Sequence, residues 1–160
     1  MEEAGRLRPA LEVPAMPYPE MLIAPMRGEM IAMGAKELKT AAAVDEAVAN
    51  TRGTLMIVVN SVCGCAAGKA RPGLAHALKH NPRPDVVATV FAGADIEATD
   101  RARSLFQGYL PSSPSIGILR DGKLVYMLER RDIEPRSAEM IATELIRAFD
   151  QVCGPGIPQK

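Results

Sequence analysis

Apolar residues along the chain form two kinds of run, one typical of buried strands and one typical of amphipathic helices. Residues Thr54–Asn60 and Val86–Phe91 are short, continuous apolar runs, as in strands that are buried on both faces. Asp121-Gly122 separates two further strand-like runs, 115–119 and 124–128, and predicts a β-hairpin. Helical spacing of apolar residues predicts helices at 18–34, 41–50, 66–80, 98–106 and 137–152, and a weak strand is predicted at 37–39.

The order of these elements predicts the fold class. Helices alternate with strands, which implies crossover connections and a partly parallel sheet. The terminal hairpin adds antiparallel strands, so we expect an α/β fold with a central mixed β-sheet and helices on both faces. Pro25 is expected to kink or split the first helix, and Pro72 to bend the third. Thr40 is expected to cap the helix at 41–50.

The length of 160 residues fits one domain, and no internal repeat or change of composition divides it. Residues 1–17 carry three prolines without an apolar period, so we interpret them as a flexible N-terminal tail. The predicted domain spans 18–153, and 154–160 form a short C-terminal tail.

Charge and composition exclude several classes of partner. Lys plus Arg and Asp plus Glu number 19 each, and Trp is absent, so neither a basic surface nor stacking aromatics predict nucleic-acid binding. No apolar run approaches the roughly 18 residues of a membrane span, and the acidic N-terminus does not resemble a signal peptide. Three cysteines are too few for a secreted disulfide scaffold. We therefore expect a cytoplasmic protein without nucleic-acid or membrane partners, and we predict no oligomeric state.

Cys63-Gly64-Cys65 lies just past a buried strand, at the point where a helix begins. Functional sites of open α/β sheets gather at the carboxyl ends of strands, and a helix N-terminus lowers the pKa of a thiol placed there. Gly64 allows the bend that a disulfide between such close cysteines needs. The ring closed by such a disulfide is small and strained, so the disulfide should be easily reduced. This property suits a redox-active pair.

Three other interpretations of the cysteines remain open from the sequence. In the first interpretation, Cys63 and Cys65 are simply buried small apolar residues. In another they bind a metal together with Cys153 or with His76 and His80, although His76 lies about 16 Å along a helix that starts near Cys65. In a third they form a thiol sensor whose Met-rich segment, 21–33, contacts a partner. For Cys153 the sequence leaves three interpretations open: a resolving thiol, a regulatory thiol or simply an exposed one.

The segment Asn-Ser-Val-Cys-Gly-Cys-Ala-Ala-Gly-Lys-Ala-Arg-Pro, residues 60–72, closely resembles the signature of the bacilliredoxins, thioredoxin-like proteins of bacteria. The likeness continues at 89–93, 97–99, 111–115 and 148–150 and at Cys153. It covers residues 18–153, which is most of the chain.

This resemblance implies a thioredoxin-like fold and thiol–disulfide oxidoreductase activity, with some disulfide reductase or isomerase activity. Cys63 would be the attacking thiolate and Cys65 the resolving thiol. The substrates would be S-thiolated or disulfide-bearing proteins, with a low-molecular-weight thiol such as bacillithiol as co-substrate. No cofactor or metal is implied beyond the redox-active Cys63–Cys65 disulfide.

The resemblance also implies a substrate-binding region. Pro114 matches the proline that is cis in thioredoxin-like folds and faces the active cysteine, and Ser113 would offer its backbone to an extended substrate. Gly64 is the third predicted substrate-binding residue. The strand at 55–59 lacks the buried acid of typical thioredoxins, so the sequence names no proton acceptor for Cys65.

Overall fold

A computed structural model describes residues 17–154, in which five strands and six α-helices are found. The helices are α1 (Glu20–Ala32), α2 (Ala41–Asn50), α3 (Arg71–Ala77), α4 (Ile96–Ser104), α5 (Arg130–Ile133) and α6 (Ala138–Val152), and a π-helical segment, Ala66–Ala70, leads into α3. The strands are β1 (Lys36–Glu37), β2 (Thr54–Asn60), β3 (Val86–Phe91), β4 (Ser115–Arg120) and β5 (Lys123–Leu128). None of the helices between residues 17 and 154 has the length and apolar character that spanning a bilayer requires. The tails predicted at 1–17 and 154–160 fall almost entirely outside the described residues.

The five strands form one mixed sheet in the order β1-β3-β2-β4-β5. Strands β1, β3 and β2 are parallel, whereas β4 runs antiparallel to β2 and β5 antiparallel to β4. The central strand β2 pairs with β3 from Leu55 opposite Val86 and with β4 from Thr54 opposite Arg120. The mixed sheet expected from the order of elements is confirmed.

Both faces of the sheet are covered, and β2 contributes side chains to both. All seven of its residues are buried. Met56 and Val58 join a core cluster with residues of α1, α3 and α6, whereas Leu55, Ile57 and Val59 join a second cluster with residues of α2 and α4. Successive side chains of a strand point to opposite faces, so a strand between two helical layers must be apolar throughout.

Local sequence signals account for several boundaries. Asp121 and Gly122 have φ values of 50° and 84°, the left-handed pair that a tight type I′ hairpin turn needs. The Thr40 hydroxyl accepts a hydrogen bond from the N–H of Ala43 and caps α2, as predicted. Ser137 caps α6 in the same way, through the N–H of Met140.

The two helix prolines have different effects on their helices. The split expected at Pro25 does not occur, because Pro25 lies on the exposed side of α1, where water can replace the lost backbone bond. Pro72 is the second residue of α3 and follows the π-helical segment, where the N–H of Arg71 donates to the carbonyl of Ala66. A proline in an α-helix clashes with the carbonyl four residues earlier. For Pro72 that carbonyl lies within the wider π-helical segment. The third helix is therefore irregular at its start, and it ends at Ala77 rather than His80.

Candidate functional site

The cysteine loop is anchored where β2 ends. The buried Asn60 side chain accepts hydrogen bonds through Oδ1 from the N–H of Ser61 (2.9 Å) and from Nη1 of Arg71 (2.8 Å). The same Arg71 nitrogen donates to the carbonyl of Ser61 at 3.0 Å. Arg71 is only 3% exposed, and its Nε donates to Glu29 of α1 at 2.7 Å. The first residues after β2 are thus held by a buried guanidinium, which sequence analysis alone does not identify.

Cys63 is half-buried and lies at the start of a helical turn. Its carbonyl accepts hydrogen bonds from the N–H groups of Ala66 (3.0 Å) and Ala67 (3.1 Å). Burial acts to raise the pKa of the Cys63 thiol. Hydrogen bonds from the Ser61 hydroxyl and from the backbone N–H groups of Ala66 and Cys65, together with the charge of Arg130, outweigh that effect and lower the pKa below its ordinary value. The predicted activation of a thiol at a helix N-terminus therefore has a structural basis at Cys63.

Cys65 has the opposite electrostatic environment. Burial raises the pKa of its thiol, and so do the nearby Cys63 and the carboxylate of Glu134. Its Sγ donates a hydrogen bond to Oε2 of Glu134 at 3.8 Å. Both cysteines carry free thiols in this structure. Of the two, Cys63 is therefore the better nucleophile near neutral pH, and Cys65 retains its proton.

The segment that follows β5 supplies two charged groups to the site. Nε of Arg130 lies 3.1 Å from Oε2 of Glu134, and the positive charge of Arg130 acts to lower the pKa of both Cys63 and Cys65. Nζ of Lys69 donates to the backbone carbonyl of Glu134, which ties this segment to the cysteine helix. No periodic pattern in the sequence predicts this segment, because α5 has only four residues. The one available signal is its dense run of charges, Glu-Arg-Arg-Asp-Ile-Glu at 129–134.

The loop before β4 lies next to the same arginine. The Ser113–Pro114 peptide bond is cis, Pro114 is buried, and the carbonyl of Ser113 accepts a hydrogen bond from Nη1 of Arg130 at 3.2 Å. The backbone N–H of Arg130 donates to Oγ of Ser112 at 3.4 Å. Arg130 therefore contacts the loop that holds two of the predicted substrate-binding residues while its charge acts on the cysteines. The third, Gly64, is exposed.

A cleft of about 470 Å³ opens beside these groups. Its lining includes the exposed Tyr109 and Leu110 and the charged Glu129, Arg130 and Glu134. It therefore offers apolar and charged groups beside Arg130 and Glu134, the two charged residues that act on the cysteines.

Cys153 lies away from this site. It is 1% exposed, and Thr54, at the start of β2, is its hydrogen-bond partner. Six residue steps of about 3.3 Å separate Thr54 from Asn60, so Cys153 lies roughly 20 Å from the end of β2 where the cysteine loop begins. The interpretation of Cys153 as an exposed thiol is wrong because the side chain is part of the core, and the distance excludes a resolving role within one folded chain.

The alternative of a metal-binding module finds no support in the structure. Between residues 17 and 154, no group of three or more His, Cys, Asp or Glu side chains is arranged to hold a metal ion. Nε2 of His80 lies 2.9 Å from Oδ1 of Asp150 on α6, and His76 is exposed on α3. Neither histidine therefore belongs to a cluster with the cysteines.

The sequence is similar to that of curated proteins named as bacilliredoxins. It is 60% identical over 137 residues to a bacilliredoxin of Koribacter versatilis, covering 86% of this chain and 94% of the relative. It is 52% identical over 135 residues to one of Cytophaga hutchinsonii, covering 84% and 99%. A family model described as disulphide isomerase matches residues 18–153.

Solved structures show the same fold at low sequence identity. The thioredoxin of Fasciola hepatica superposes with a TM-score of 0.50 at 20% identity, covering 71% of this chain and 97% of that structure. The oxidised thioredoxin of Plasmodium falciparum has a TM-score of 0.51 at 15% identity, covering 72% and 97%. The predicted thioredoxin-like fold is confirmed. With this fold, and with relatives at up to 60% identity, the chain belongs to the bacilliredoxins, a family of thiol–disulfide oxidoreductases.

Proposed function

We propose that this protein removes low-molecular-weight thiols from mixed disulfides on other proteins, with Cys63 as the attacking thiolate and Cys65 as the resolving thiol. The main support is that two free thiols in one loop have opposite surroundings: Cys63 lies at the start of a helical turn, where hydrogen bonds outweigh burial and lower its pKa, whereas the Cys65 thiol donates to Glu134 and burial raises its pKa. A lowered pKa provides thiolate for the first attack, and a raised pKa keeps the second thiol protonated until a mixed disulfide has formed.

The cycle balances without any other redox group. The Cys63 thiolate attacks the sulfur of the low-molecular-weight thiol, the sulfur–sulfur bond of the mixed disulfide breaks, and the substrate protein leaves as a thiolate that takes a proton. Cys65 then loses its proton and attacks Cys63 Sγ, which releases the small thiol and closes the Cys63–Cys65 disulfide. Two electrons have moved from the cysteine pair to the substrate disulfide. A further thiol of the host must reduce the pair again.

The family name supports bacillithiol as the small thiol and a bacterial cytoplasm as the compartment, where thiols are kept reduced. The co-substrate is then a thiol rather than a bound cofactor. Because the reacting groups are two cysteines, the cycle requires no metal.

Substrate recognition is assigned to the cis-proline loop and the adjoining cleft. Ser113 and Pro114 present backbone beside the charge of Arg130, and Gly64, with no side chain, leaves the approach to Cys63 open. The exposed Leu110 and Tyr109 provide apolar contact for the segment of the substrate protein that flanks its modified cysteine.

Single-cysteine variants test the cycle. A protein carrying one S-thiolated cysteine is mixed with the wild type, Cys63→Ser, Cys65→Ser or Cys153→Ser, and the products are separated by mass without reduction. We expect Cys63→Ser to leave the substrate thiolated and Cys65→Ser to accumulate the small thiol on Cys63. Cys153→Ser is the matched control and should react like the wild type. The proposal is wrong if Cys65→Ser traps no mixed disulfide, or if Cys63→Ser still releases the small thiol.

A further inference from the structure

The second step of the proposed cycle needs a proton acceptor. Cys65 must lose its thiol proton before it can attack the disulfide on Cys63, yet the residues of β2 provide no carboxylate for this purpose. Oε2 of Glu134 accepts the hydrogen bond of the Cys65 thiol at 3.8 Å. We propose that Glu134 is the catalytic base of this protein, which takes the Cys65 proton during resolution and returns it to the departing thiol. The inference rests on the cycle proposed above and adds a third reacting residue to it.

The position of Glu134 is fixed from two directions. Lys69, in the π-helical segment just after the cysteines, donates to the backbone carbonyl of Glu134. Arg130, one helical turn earlier, donates to Oε2 from Nε at 3.1 Å. The carboxylate is thus held against Cys65 by contacts that do not involve Cys65. Its side chain is 50% exposed, so a proton that it accepts can also reach water.

Resolution moves one proton and exchanges one disulfide bond for another. The proton of Cys65 passes to Oε2 of Glu134, and the sulfur electron pair forms the bond to Sγ of Cys63. The bond between Cys63 and the small thiol breaks, and its electron pair leaves with the small thiol. That thiolate then takes a proton from Glu134 or from water. Cys65 is oxidised, the small thiol is released reduced, and Glu134 is a carboxylate again.

The charged groups around Cys65 distinguish a base from a mere negative charge. Cys63 and Arg130 act on Cys65 in addition to Glu134, while Glu129 and Arg131, also in the cleft, form their own pair at 3.2 Å. The charge of Glu134 by itself raises the pKa of Cys65 and thereby disfavours its thiolate. A purely electrostatic Glu134 would therefore slow resolution, and removing its charge would speed it up. If Glu134 acts as a base, its removal slows resolution instead.

The test uses the full-length chain and a small symmetrical disulfide, hydroxyethyl disulfide, as probe. Samples quenched in acid at successive times are analysed by mass, which separates reduced protein, the mixed disulfide on Cys63 and the closed Cys63–Cys65 disulfide. Both rate constants then come from one time course. The variants are Glu134→Gln, the shorter acid Glu134→Asp, and Glu46→Gln, an exposed residue of α2, as the matched control.

We expect Glu134→Gln to slow closure of the disulfide on the order of 100-fold at neutral pH, the lower end of the usual contribution of general base catalysis. Its rate should then rise with pH as hydroxide replaces the missing base. Formation of the mixed disulfide should change little, Glu134→Asp should recover part of the rate, and Glu46→Gln should match the wild type. Gln has nearly the shape of Glu, so we expect the thermal unfolding midpoint to stay unchanged. An unchanged midpoint excludes loss of the fold as the cause of slower closure.

Unchanged or faster closure in Glu134→Gln overturns the assignment of the base. That failure differs from a failure of the cycle itself. If the wild type never closes the Cys63–Cys65 disulfide, the two-thiol cycle is wrong. If the wild type closes it and Glu134→Gln closes it equally fast, the cycle stands without Glu134.

Discussion

Nη1 of Arg71 lies 2.8 Å from Oδ1 of Asn60, and this contact inside the protein joins the helix after the cysteines to the strand before them. We expect Arg71→Met to lower the free energy of unfolding by about 1–3 kcal/mol, because Asn60 and the Ser61 carbonyl each lose a buried partner. Urea unfolding followed by circular dichroism measures the change. Arg52→Met is the matched control, since Arg52 is exposed, and its effect should stay within about 0.5 kcal/mol. Equal stability losses in the two variants would contradict the structural role of Arg71.

Two neighbouring arginines are predicted to differ in their effect on Cys63. Arg130 acts to lower the pKa of Cys63, whereas Arg131 is 81% exposed and pairs with Glu129. We expect Arg130→Gln to raise the pKa of Cys63 and to slow its alkylation at pH 7, and Arg131→Gln to change both much less. The pH dependence of iodoacetamide alkylation, with each cysteine identified by peptide mass, measures the shift. Added salt should reduce the difference between the variants, because Arg130 is partly exposed to solvent.

The buried Cys153 is predicted to make stability depend on alkaline pH. Burial raises the pKa of its thiol in the folded protein above the value of about 8.5 for a free cysteine. The unfolded chain then loses this proton at lower pH than the folded one, so the stability that Cys153 contributes is present below about pH 8.5 and is lost as the pH rises through the folded pKa.

Urea unfolding of the wild type and of Cys153→Ala at pH 7.5 and pH 10 tests this linkage. Other groups titrate in both proteins, so the informative quantity is the difference in free energy of unfolding between the wild type and Cys153→Ala. We expect the stability advantage of the wild type to shrink at pH 10. A constant advantage at both pH values would show that the folded state does not disfavour the Cys153 thiolate.

Two glycines in helices are predicted to respond to alanine with opposite signs. A Cβ on Gly73 of α3 would lie 2.9 Å from the backbone carbonyl oxygen of Ala138 and 2.9 Å from the side chain of Ile141, so Gly73→Ala must push α3 and α6 apart. A Cβ on Gly28 of α1 meets nothing within 4 Å. Gly28→Ala should therefore stabilise the protein by about 0.5–1 kcal/mol, the ordinary gain in a helix interior. Gly73→Ala should destabilise it by about 1–3 kcal/mol, as overpacking does. Thermal unfolding of both variants checks the two signs.

Signals that act over short stretches were sufficient for most of the fold. The apolar runs of β2 and β3 and the Asp121-Gly122 turn have the predicted places in the structure. The helix cap predicted at Thr40 is confirmed, because a cap depends on a side chain and a backbone N–H only three residues apart. The split considered at Pro25 does not occur, and a π-helical segment precedes Pro72, since the effect of a proline depends on which side of the helix it occupies and on the turn before it.

The sequence alone indicates that two cysteines follow a buried strand and precede a helix, and this pattern predicts the redox pair and carries the resemblance to the family. It also determined the alternation of helices and strands, because periodicity reflects which side chains are buried. The surroundings of the two thiols depend on tertiary contacts. Glu134 is 69 residues from Cys65 in sequence, and Cys153 is in the core at the other end of β2. The pKa of a thiol depends on charges and hydrogen-bond donors within a few ångströms, and the folded chain brings those groups together from segments that no local pattern connects.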